Sequence, residues 1–122
     1  MPIMNSEPMT EQQRKVLNAA CGDLAAAISW HGFHFDKNDF RHFFAGIVRG
    51  NRMVPGWDYG EGPRGFVYMG GSSRELTMRE ASECLDMAFS LGDDPRSQGV
   101  DADPVRWGPA VCRARLIPKD EQ

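Results

Sequence analysis

Residues 10–32 run TEQQRKVLNAACGDLAAAISWHG, and nearly every position argues for a helix. Thr10-Glu11-Gln12-Gln13 is a capping box: the Thr10 hydroxyl accepts from the third helical N–H while the Gln13 side chain reaches back to the N–H of Thr10 itself. Leu17, Ala20, Leu24, Ala27, Ile28 and His31 then recur at helical spacing, leaving Arg14, Lys15 and Asp23 largely off that face. Five alanines between Ala19 and Ala27 lose no side-chain entropy in a helix, and only Gly22 opposes it. Gly32 is the expected stop.

Outward from this segment, Asp36 is the N-cap of a second helix, with Asp39 in the first turn favoured by the helix dipole. Phe40, Phe43, Phe44, Ile47 and Val48 form its apolar stripe and Gly50 its end. A second capping box, Thr77-Met78-Arg79-Glu80, opens a third helix that turns Met78, Ala81, Cys84, Leu85, Ala88 and Phe89 inward and closes at Gly92. Between them the chain is rich in Gly, Pro and aromatics. Met53-Val54-Pro55 is short and extended, Gly56 to Gly65 is a loop, and Phe66-Val67-Tyr68-Met69 is the strongest strand pattern. Gly70-Gly71-Ser72-Ser73 reads as a turn after which Arg74-Glu75-Leu76 pairs back as the second arm of a ribbon. Asp103-Pro104 begins a short fourth helix that Gly108-Pro109 interrupts, and Val111 to Ile117 is either a second short helical turn or an arm ordered only against a partner. The expected fold class is therefore α+β, three to four helices with a short antiparallel β ribbon. Residues 1–9 are a flexible lead-in, 10–92 the helical core with the ribbon, and 93–122 a C-terminal arm, partly helical or irregular.

The 122 residues are 41% hydrophobic and 25% charged, with a mean hydropathy of -0.48, the profile of one ordinary globular domain. No apolar run approaches the roughly 18 residues of a bilayer span, and residues 1–7 lack the basic and apolar regions of a leader, so the expected location is cytoplasmic. Cys21, Cys84 and Cys112 are too scattered for a disulfide framework or a C-x-x-C clip and are expected to be reduced. A net charge of -3 excludes a protein uniformly coated in positive field. Yet 11 of the 14 basic residues are Arg, whose planar fork suits phosphate and base stacking.

Catalytic patterns are weak. His31, His34, Asp36 and His42 are metal-ligand types within twelve residues, but their spacing matches no helical ligand pair, and capping, turn and solvent positions explain them as well. Ser72 and Ser73 lack the strand-turn-helix setting of a nucleophile elbow, and the glycines from Gly56 to Gly71 form neither a P-loop nor a dinucleotide fingerprint. Cys84 reads as a small core hydrophobe. The segment from Arg49 to Arg74 is more telling. Arg49, Arg52, Arg64 and Arg74 stand against Asp58 and Glu61, interleaved with Trp57, Tyr59, Phe66 and Tyr68. Cations that follow phosphates beside rings that stack on bases are what single-stranded nucleic acid requires, although aromatics on short strands also serve as core. A second basic stretch holds Arg106, Arg113, Arg115 and Lys119 with Trp107.

Gln13, Gly22-Asp23, Trp30-His31-Gly32, Asp36, Val54-Pro55, Gly65-Phe66-Val67, Gly70 and Ser72-Ser73, in that order, resemble the NinB family, the Orf-like recombination mediators of lambdoid phages. The resemblance covers about Glu11 to Gly92. It implies a non-catalytic, cofactor-free homodimer that binds single-stranded DNA, contacts the host single-strand-binding protein and helps load the recombinase. Two copies lining one groove would reconcile that role with the negative net charge. The chain departs from the family at both ends, with nine irregular residues where longer members have an extra segment and Gly108-Pro109 within the C-terminal helix. The expected contacts are Arg49, Arg52, Arg64 and Arg74 on phosphate and Trp57, Tyr59 or Tyr68 on bases, with Arg106, Arg113 and Arg115 as further contacts. The alternatives are a metal-dependent nuclease using His31, His34 and Asp36, or an adaptor whose apolar pocket, flanked by an Arg, holds an acidic peptide tail.

Overall fold

Three capping boxes start the three long helices of the computed structural model, which describes residues 7–50, 52–62, 65–69 and 75–116. Helix α1 spans Glu11–Ala27, α2 Lys37–Arg49 and α3 Met78–Asp93. Thr10 and Gln13 exchange hydrogen bonds of 3.0 Å in both directions, and Asp36 with Asp39 and Thr77 with Glu80 do the same at similar lengths. Each box satisfies two N–H groups that a helix start would otherwise leave unpaired. Gln13 does more: its Nε2 donates to the Met78 carbonyl at 3.1 Å, tying the start of α1 to that of α3.

The helices pack on one another around Leu17, Ala20, Cys21, Leu24, Phe40, Phe44, Ala81, Cys84, Ala88 and Leu91. Residues beyond α3 join this core. A 3-10 turn, Pro95–Gln98, and an irregular segment bring in Val100 and Val105, and α4, Pro109–Arg115, adds Val111. At the other end Met9 is buried and its N–H donates to the Leu76 carbonyl, so residues 7–9 lie along 76–78.

The expected α+β class does not hold. The packed body is helical, built from four helices, and among the described residues no strand takes part in it. β1, Arg52–Pro55, and β2, Phe66–Met69, pair antiparallel with each other, Arg52 opposite Met69 and Pro55 opposite Phe66, while contacts among the described elements otherwise run helix to helix. The physical reason lies in the helical stripes: α1, α2 and α3 bury most of their apolar faces against one another, so the core closes without a sheet. The pairing of 74–76 as a ribbon arm also fails, because Leu76 is 4% exposed and bonds Met9 instead. The turn read at residues 70–73 lies outside the described residues.

Helix ends differ from expectation more than helix starts. α1 stops at Ala27, with Ile28 already extended, so Ala27 and His31 are exposed rather than inward. Trp30 and Phe33 exchange backbone hydrogen bonds across a tight turn in which His31 (φ 47°) and Gly32 (φ 88°) both take left-handed conformations, the pattern of a type I′ turn. α3 runs through Gly92, and Gly108-Pro109 opens α4 instead of breaking a helix, with Pro109 at the first position where its missing N–H costs nothing. The Gly108 N–H is satisfied by Asp23 Oδ2 at 2.8 Å, a cap supplied from α1.

Burial pushes the thiols of Cys21 and Cys84 up to about 12, whereas Cys112 is exposed on α4. All three are free thiols. A thiol reagent at mildly alkaline pH should therefore titrate one cysteine quickly and the other two only as the protein unfolds. Fast reaction of two or three in the native state would contradict this packing.

Candidate nucleic-acid interface

The residues between Arg49 and Arg74 separate into distinct roles. Arg49, in the last turn of α2, is only 12% exposed and sits 3.7 Å from Glu80 at the start of α3. That placement joins a cation at one helix C-terminus to an acid at another helix N-terminus, favourable to both dipoles. Its guanidinium is thus engaged in helix packing. Arg52 and Tyr68 lie in the ribbon, opposite Met69 and Met53. Arg64 and Arg74 fall outside the described residues.

Trp57 and Tyr59 are 75% and 72% exposed, large rings standing in solvent on the loop that joins β1 to β2. The loop is closed at its base by the Gly56 N–H donating to the Gly65 carbonyl at 3.0 Å. Asp58, between Trp57 and Tyr59 in sequence, accepts from the Gly60 and Gly62 N–H groups with one carboxylate oxygen, at 2.7 and 3.0 Å. Gly60 and Gly62 have φ of 107° and 95°, backbone that a residue with a Cβ rarely adopts. Composition marks this loop but treats Asp58 only as an opposing charge. The spacing Asp58-x-Gly60-x-Gly62 is the signal that composition passes over, since Asp side chains close local turns on following N–H groups.

At the C-terminal end the three arginines also diverge. Arg106 and Arg113 are exposed, and no acid among the described residues lies within ion-pair distance of either. Arg115 is spoken for. Both its terminal nitrogens bond Asp93, at 2.9 and 2.8 Å, and its guanidinium lies 4.8 Å from the Phe89 ring centre. Asp93 also accepts from Trp107 Nε1 at 2.9 Å. The Arg115 and Trp107 hydrogen bonds hold the Asp93 carboxyl below its ordinary value of 3.8. A depressed carboxyl contributes stability above that ordinary value and loses it as pH falls through the folded one. Acidification below about pH 4 should loosen α4 in wild type more than in D93N, as read by near-ultraviolet circular dichroism of Trp107. An identical acid profile for the two would contradict it.

The nuclease alternative finds no geometry. Among the described residues no three His, Cys, Asp or Glu side chains gather as metal ligands. Asp36 caps α2, and His31 stands edge-on to Trp30, ring centres 4.5 Å apart. The adaptor alternative calls for an apolar pocket beside an Arg. A groove of about 290 Å³ between α2 and α3 is lined by Trp30, Phe43, Ile47, Met87 and Leu91, with no Arg or Lys among its lining residues.

Comparison with known proteins places this geometry in a lineage. The family model described as NinB protein matches residues 3–100. Protein ninB of Salmonella phage P22 is 28% identical over 107 residues, covering 87% of this chain and 68% of that protein. Protein ninB of Escherichia phage lambda and the P21 prophage-derived NinB of Escherichia coli O6:H1 are each 27% identical over 84 residues, 69% of this chain. The chain thus spans 54% of the length of these two relatives. A solved NinB structure from structural genomics shares the fold with a TM-score of 0.56 over 83% of this chain and 67% of its own, at 24% identity. No helix among the described residues is long and apolar enough to cross a membrane. On the extent of the family match, this chain belongs to the NinB family.

Proposed function

We propose that this protein is a non-catalytic accessory factor of phage DNA recombination that binds single-stranded DNA through the loop between β1 and β2. The observation that carries the reading is the pair Trp57 and Tyr59, two rings held in solvent on a closed loop, where burial would otherwise be the favourable state of so much apolar surface. Bases stack on such rings with little sequence preference, at about 1 to 3 kcal/mol per base. Arg106 and Arg113, exposed and without an acidic partner among the described residues, are the phosphate contacts, together with Arg52, Arg64 and Arg74. Arg49 and Arg115 are left to hold helices together. Family membership supports the wider role: a homodimer working beside the host single-strand-binding protein and a recombinase, in the cytoplasm, without a cofactor.

The test is salt dependence. Each phosphate contact on a single strand contributes about -0.7 to the slope of log affinity against log salt. The R106A/R113A variant should bind a fluorescent oligonucleotide more weakly and with a slope shallower by about 1.4, the sum of two such contacts. R115A should leave the slope unchanged while lowering the melting temperature. Absence of wild-type binding at low salt would remove the proposal, and an unaltered slope in R106A/R113A would remove these two residues from it.

A further inference from the structure

Asp58, an acid, lies in sequence between the two residues whose rings are proposed to meet a polyanion, and charge alone makes it a hindrance. Its geometry says otherwise. One carboxylate oxygen takes two backbone N–H groups, Gly60 at 2.7 Å and Gly62 at 3.0 Å, within a loop whose glycines at 56, 60, 62 and 65 otherwise give it wide conformational freedom. Hydrogen bonds to a charged acceptor are the stronger kind. Trp57 and Tyr59 flank Asp58 in sequence, and both remain exposed although neighbouring apolar rings gain by collapsing onto any available surface.

We infer that Asp58 is the positioning residue of the binding loop, ordering it before DNA arrives so that Trp57 and Tyr59 are presented outward. The inference rests on the function proposed above and deepens it. Ordering in the free protein removes an entropic cost from binding. Asp58 therefore favours association despite its charge, because the loop it organises is worth more than the repulsion it adds at an exposed, screened position.

Charge and position are separable by substitution. Asp58→Asn keeps the accepting oxygen and loses the charge, whereas Asp58→Ala loses both. Affinity for a fluorescent oligothymidylate is measured for wild type, D58A, D58N and W57A/Y59A, alongside amide hydrogen exchange of Gly60 and Gly62. The expected result is binding weakened about tenfold in D58A, retained or tightened in D58N, with the two amides protected in wild type and D58N and unprotected in D58A. Tightening in D58A to the level of D58N marks Asp58 as a mere repulsive charge and overturns the inference. Unchanged amide protection in D58A overturns it as well. Wild type that does not bind, or W57A/Y59A that binds like wild type, overturns the proposed function itself. Wild type that binds, W57A/Y59A that is weakened and D58A that is not overturn the positioning role alone.

Discussion

Replacing Gly92 by Ala is expected to destabilise this protein strongly for the addition of a single methyl group. A Cβ built there lies 2.1 Å from Trp107 Cζ2 and 2.4 Å from Cη2, far inside van der Waals contact. The indole cannot simply yield, because its Nε1 donates to Asp93 and its ring stands edge-on to Phe89, centres 5.8 Å apart. Arg115 closes the group by gripping Asp93 and covering Phe89. Helix propensity alone would reward Gly92→Ala with about 1 kcal/mol. Overpacking costs about 1 to 3 kcal/mol and sometimes more, and displacing Trp107 adds the lost indole hydrogen bond and ring contact. The net expectation is a loss of about 2 to 3 kcal/mol, measured by urea denaturation. Removing the clash should restore much of it, so G92A/W107L should be more stable than the sum of the single variants. G92A as stable as wild type would show that Trp107 is not seated against α3.

The second large effect is on binding. Trp57→Ala with Tyr59→Ala removes two exposed rings of the loop, neither of which belongs to the helical core. At about 1 to 3 kcal/mol for each stacked base, the double variant should lose about 2 to 6 kcal/mol, a fall in affinity of roughly 30-fold or more. Its urea midpoint should stay at the wild-type value, since exposed rings contribute little to folding. Equal losses of stability and affinity would instead make the rings structural.

Five of the residues that carry the family resemblance turn out to be fold-keeping residues. Gln13 caps α1 and fastens it to α3, Asp23 caps α4, His31 and Gly32 form the turn after α1, and Asp36 caps α2. Helix starts are legible for the same reason: a capping box is a local arrangement of four residues, complete in the sequence that encodes it. Helix ends are not. Gly92 looks like a C-terminal glycine, but its missing side chain makes room for Trp107, fifteen positions away and invisible to local patterning. Gly108-Pro109 looks like a break, yet with Asp23 supplying the cap it is a start. Fold class is misread on similar grounds, because strand patterns at 52–55 and 66–69 say nothing about whether helices pack on them.

The same limit applies to the site. Aromatic and basic residues between Arg49 and Arg74 are visible as composition, while the partners that withdraw arginines from binding are distant. Glu80 lies 31 positions beyond Arg49 and Asp93 lies 22 before Arg115. Counting charges treats every Arg alike. What separates them is whether a helix has already supplied a carboxylate.

Base stacking on the loop is tested most directly by tryptophan emission. Trp57 is 75% exposed, whereas Trp30 and Trp107 are partly buried against the helical core. Titrating a single-stranded oligonucleotide at low salt should quench emission in step with binding followed by anisotropy, and W57F should bind while losing most of the quench. Saturable binding that leaves wild-type emission unchanged, or a quench undiminished in W57F, would contradict the assignment of this loop as the DNA-binding surface.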